Sequence, residues 1–82
     1  METTIELELE LPRPVHLKQF PRGSREVVTG VLDAFTGAPL WACVGVGEVG
    51  AALGITAAVH CCIERGWQPV TEDGQPFHVA AA

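Results

Sequence analysis

The sequence predicts a small α+β domain: three helices set between an N-terminal β-strand or hairpin and a C-terminal β-ribbon, all within a single unit covering residues 1–82. Three observations predict it. The chain opens on a strict two-residue alternation of apolar and acidic residues. Its middle carries apolar residues at helical spacing on both sides of a glycine. Near its end an Asp-Gly pair stands between short apolar-alternating runs.

In METTIELELELPRP, Ile5, Leu7, Leu9 and Leu11 alternate with Glu6, Glu8 and Glu10, which is a strand with one apolar and one acidic face. Pro12 and Pro14 end it. Val15 and Leu17 then alternate with His16 and Lys18, a second strand, so residues 1–20 form the N-terminal strand region. PRGS at 21–24 breaks the chain, and Ser24 is placed to cap a first helix. Val27, Val28, Val31, Leu32 and Phe35 fall on one helical face, and Gly37 with Pro39 stops that helix. LWACVGV at 40–46 fits a short buried strand or an extended lead-in.

EVGAALGITAAVHCCIERGW at 48–67 reads as two helices, from about Gly47 to Leu53 and from Thr56 to Arg65, with Gly54 as the turn and Gly66 as the stop. Residues 24–66 are thus a helical core. Residues 67–80 carry two short strands around Asp73-Gly74, limited by Pro69 and Pro76 to an exposed ribbon.

The order helix, helix, turn, helix, ribbon over residues 24–79 resembles a winged helix-turn-helix, most closely the compact excisionase-like and MerR-like variety. The likeness rests on Val49 and Leu53 on the second helix, Gly54 at the turn, and Ile55, Val59 and Ile63, which it turns to the core. It implies that the third helix enters a DNA major groove and the wing touches phosphates. Thr56, His60 and Arg65, with Arg22 and Arg25 from the N-terminal half, would then be the DNA-binding residues. Two departures count against this use. His60 stands where the family carries an aliphatic residue, and the wing tip is Glu72-Asp73, where a DNA binder wants Lys or Arg.

Charge weighs the same way. Ten acids oppose five bases, for a net charge of −5. Over residues 45–82 the acids Glu48, Glu64, Glu72 and Asp73 face Arg65 alone. DNA affinity comes largely from neutralising phosphates, so direct DNA binding is disfavoured. A protein partner with a basic surface fits better, such as a nucleic-acid-binding complex whose channel the acids would occupy. Glu6, Glu8, Glu10, Glu72 and Asp73, with Trp41 as an aromatic anchor, are the candidate partner-binding residues. In size and charge the chain is similar to small acidic phage-encoded inhibitors such as anti-CRISPR proteins, although no motif carries that likeness.

Catalysis and metal binding find little support. Cys43, Cys61 and Cys62 with His16, His60 and His78 show neither C-x₂₋₄-C nor H-x₃₋₅-H spacing, so no metal and no cofactor is expected. GVGEVG at 45–50 fits neither the dinucleotide fingerprint nor the P-loop. A Cys-His nucleophile would need a cleft and an oxyanion hole that this layout does not offer, so the chain is expected not to be an enzyme. Three cysteines, two of them adjacent, make a poor disulfide framework and point to a reducing compartment. No membrane span and no secretory leader is expected, so the chain is read as cytoplasmic. The sequence therefore predicts a small acidic, non-enzymatic protein acting through protein–protein contacts. The alternatives are a DNA-binding regulator of the excisionase type and an oligomerisation module, with a homodimer supplying burial that a chain of this size lacks.

Overall fold

The computed structural model describes residues 13–76, and within them a sheet, not a helical bundle, forms the frame. Strands β1 (Arg13–Arg22), β2 (Glu26–Asp33) and β3 (Pro39–Val46) run antiparallel in sequence order. Helix α1 (Gly47–Arg65) then crosses one face, and β4 (Trp67–Pro69) returns parallel to β1, giving the order β3-β2-β1-β4. The three-helix, winged-helix-like expectation is therefore corrected to a four-stranded mixed sheet covered on one side by a single helix.

Each correction has a local cause. Residues 24–36 were expected to be helical, but EVVTGVLD is rich in β-branched side chains that pack well on a pleated surface, and Gly30 weakens a helix there. Its apolar residues satisfy either period. Gly37 does take the left-handed conformation (φ 77°), but it closes the turn between β2 and β3 and not a helix end. LWACVGV lies in the edge strand β3. The expected break at Gly54 is absent, and residues 47–65 form one continuous helix that ends on left-handed Gly66. In place of a projecting wing, β4 joins the sheet through Arg13↔Trp67, Pro14↔Gln68 and Val15↔Pro69. The Asp-Gly segment folds into a turn closed, among the described residues, by the bridge Val70↔Pro76. The strand expected over residues 5–11 lies outside the described residues.

The strand register sorts side chains by face. Val15, Leu17 and Gln19 on β1, Thr29 and Val31 on β2, and Trp41, Cys43 and Gly45 on β3 fall on the helix side. Phe20, Val28 and Val44 form a cross-strand row on the opposite side. The core between sheet and helix is thin: Val15, Val31, Ala58 and Cys62 are fully buried, with Leu17, Leu40, Trp41 and Trp67 packed around them.

Small residues let the helix sit close. A Cβ on Gly50 would lie 2.7 Å from the Gly45 carbonyl carbon, and one on Gly54 would lie 2.5 Å from Thr29 Oγ1. Real Cβ atoms do not approach that near, so the helix backbone rests directly on the sheet. One polar bridge ties the layers. Gln19 Nε2 donates to Thr29 Oγ1 and to the Ala51 carbonyl, both at 2.8 Å, which satisfies the buried Thr29 hydroxyl.

At the far end, Asp33 Oδ1 accepts from the backbone N–H groups of Phe35 and Thr36, and Oδ2 lies 3.2 Å from Arg13 Nε. The two N–H donors, Thr36 first, hold this carboxyl below the usual aspartate range, and Arg13 adds to the effect. A carbonyl can only accept, so His16 Nδ1 carries the proton it shares with Val70 O at 3.0 Å. That bond and Val70 N–H to Val15 O, 2.8 Å, fasten the C-terminal turn to β1.

Candidate interaction surface

The helix buries its small side and exposes its large one. Gly54, Ala58, Cys61 and Cys62 face the sheet. On the outer side Val49 is 73% exposed, Leu53 63% and Ile63 69%. Of these, Ile63 is the one that the winged-helix resemblance turns to the core. The structure places them in solvent because the sheet contact selects residues that permit close approach. Thr56 and His60 lie exposed in the same stripe. The positions 49, 53, 56, 60 and 63 recur in steps of four and three, which is the spacing of a helix–helix seam. None of the five is charged.

The candidate residues from the sequence do not converge on one place. Glu6, Glu8 and Glu10 lie outside the described residues. Glu72 and Asp73 are exposed in the turn after β4. Asp73 is engaged locally: it accepts from the Thr71 hydroxyl, which also accepts from Gln75 N–H, and the Thr71 bond holds its carboxyl below the usual range. Trp41 is half-buried against the core, so it serves the sheet–helix packing.

The residues of the DNA alternative are spread along the helix and beyond it. Thr56 and His60 are on the outer face of α1, and the Thr56 hydroxyl donates to the Ala52 carbonyl at 3.3 Å. Arg65 turns back at the C-terminal end, with its guanidinium 5.5 Å from the Trp67 ring centroid and Nη1 3.1 Å from Cys61 Sγ. Arg22 and Arg25 stand by the β1–β2 turn at the other end. With one helix in place of a helix-turn-helix, the geometry that would carry a recognition helix into a groove is absent from the described residues.

The remaining chemistry is modest. An open cleft of about 350 Å³ lies between the β1–β2 turn and the start of α1, lined in part by Ser24, Arg25, Glu26 and Glu48. Its base Arg25 and its acids Glu26 and Glu48 are exposed, and beside it Arg22 and Glu26 are 3.9 Å apart on the surface, a spacing worth little. Burial, followed by the neighbouring Cys61, pushes the Cys62 thiol up to about 11, so it is protonated at neutral pH and poor as a nucleophile. Among the described residues no three His, Cys, Asp or Glu side chains gather as a metal site, and no helix is long and apolar enough to cross a membrane.

The signal that sequence reasoning passed over was the row Gly50, Gly54, Ala58, small residues at every fourth position. On a helix this marks a side pressed against something. It fixes the opposite side as the exposed one.

No protein-family model, no curated protein and no solved structure matches this chain.

Proposed function

We propose that the chain is a small, non-enzymatic binding protein that acts through protein–protein contacts, with the outer face of α1 as its contact surface. The observation that carries the reading is the exposure of Val49, Leu53 and Ile63 on one uncharged helical stripe. Single exposed aliphatics are ordinary on a protein surface, but Val49, Leu53 and Ile63 share one helical face with Thr56 and His60, and such clustering is a mark of an interaction site. Glu48 and Glu64 edge the stripe and supply a polar rim.

The reading is tested by photo-cross-linking in the native host. A photoreactive residue replaces Leu53 in one sample and Val44, on the opposite face of the sheet, in another. The expected result is a discrete protein adduct from position 53 that is absent from position 44. Equal labelling from both faces, or labelling from position 44 alone, would sink the proposal.

A further inference from the structure

We infer that the partner of the α1 outer face is an α-helix of another protein, with an apolar ridge flanked by Lys or Arg. This rests on the reading that the face is a contact surface and names what it receives.

The spacing points to a helix. Val49, Leu53, Thr56, His60 and Ile63 follow one another in steps of four and three, the repeat that keeps one helix facing another along its length. The Thr56 hydroxyl donates to the Ala52 carbonyl at 3.3 Å, so it needs no partner across the seam. His60 is then the polar member of the row, and one polar residue in such a seam fixes register more than it adds affinity. Ala52 and Ala57 flank the row on either side, and short side chains there leave grooves for the ridge of a facing helix.

Charge sets the sign of the partner. Glu48 and Glu64 are exposed and sixteen residues apart, one at each end of the row. At about 100° per residue they stand about 160° apart around the helix axis, so they flank the row on opposite sides. No Lys or Arg of α1 offsets them on this face. Arg65 turns away from it, with Nη1 3.1 Å from the Sγ of buried Cys61 and the guanidinium 5.5 Å from the Trp67 ring centroid. A partner helix answers the two carboxylates with a base near each end of its ridge, about 24 Å apart.

The same acids turn other occupants away. Two identical helices packed antiparallel about Thr56 would set the acid at one end level with the acid at the other, and packed parallel would set each acid level with its counterpart. An anionic membrane surface carries the same sign as the acids. The seam from Val49 to Ile63 is about 21 Å long, at the small end of specific interfaces, so the contact is weak and transient.

Fluorescence anisotropy of labelled peptides titrated with the full chain tests this. One probe is an alanine-based helix of about 18 residues with Leu in steps of four and three and Lys on both flanks, and the other carries Glu in place of each Lys. The Lys probe is expected to bind in the micromolar range, and the Glu probe about tenfold more weakly or worse. Leu53→Lys is expected to weaken the Lys probe about tenfold. Glu48→Gln together with Glu64→Gln is expected to weaken it about threefold and to remove most of its salt dependence. Far-UV circular dichroism stays unchanged in both variants. Equal binding of the two probes, a double Gln variant that binds the Lys probe as the parent does, or no binding of the Lys probe at about 1 mM would each overturn the inference. Any of these would dismiss the basic helix alone, because photo-cross-linking from position 53 decides separately whether the face binds protein.

Discussion

Gly50→Ala is expected to destabilise the protein by about 2 kcal/mol or more, which for a domain this small lowers Tm by roughly 10 °C. The sign is opposite to the usual one. Gly to Ala inside a helix ordinarily gains about 1 kcal/mol, because Ala loses less backbone entropy and has the best helical propensity. Here the new methyl would meet the Gly45 backbone, with its carbon 2.7 Å from the carbonyl carbon. Neither partner is the end of a flexible side chain, so the first turns of α1 must lift from β3. Lifting them also pulls the Ala51 carbonyl from Gln19, which leaves the bridge to Thr29 without its second anchor. Thermal or urea unfolding of the variant checks this. A variant as stable as the parent would show that α1 does not rest on Gly45.

The second large effect is a contrast between two aliphatic residues. Val31→Ala is expected to cost about 2 kcal/mol, and Ile63→Ser less than about 0.5 kcal/mol. By hydrophobicity alone the order should be reversed, since isoleucine carries more apolar surface than valine. Position decides it. Val31 is fully buried in the central strand β2, paired with Leu17 on one side and Trp41 on the other. Its truncation leaves a void against Val15, Ala58 and Cys62 in the same buried cluster. Ile63 is 69% exposed and has little burial to lose. Denaturant midpoints of the two variants, measured at low protein concentration so that association does not contribute, check the pair. Equal losses would place Ile63 inside the fold and remove the exposed stripe.

The same contrast shows what was legible in the sequence. VHLKQF alternates apolar and polar residues, so its strand could be read directly, and the alternation matches the burial of Val15 beside the exposure of Lys18. EVVTGVLD could not be read by period, because Val27, Val28, Val31 and Leu32 fit a helix as well as a doubly covered strand. Its β-branched content was the discriminating signal. The helix α1 was found but cut at Gly54, since glycine is read first as a breaker. In this chain Gly54 is a contact residue that lets the helix approach Thr29.

The site was half legible for a related reason. Apolar residues fall on every side of α1, so hydrophobicity alone could not say that Val49, Leu53 and Ile63 point outward. The spacing of Gly50, Gly54 and Ala58 could. The acidic row Glu6, Glu8 and Glu10, on which the basic-partner reading first rested, lies outside the described residues, and the contact surface is argued from α1 without it.

The claim that the outer face of α1 is where the protein associates is tested most directly by hydroxyl-radical footprinting of the free and the associated protein. The account predicts that oxidation of Val49, Leu53 and Ile63 falls sharply on association, while Phe20 and Val44 on the far side of the sheet are oxidised as before. Protection of Phe20 and Val44 with no change at the three helix positions would contradict it.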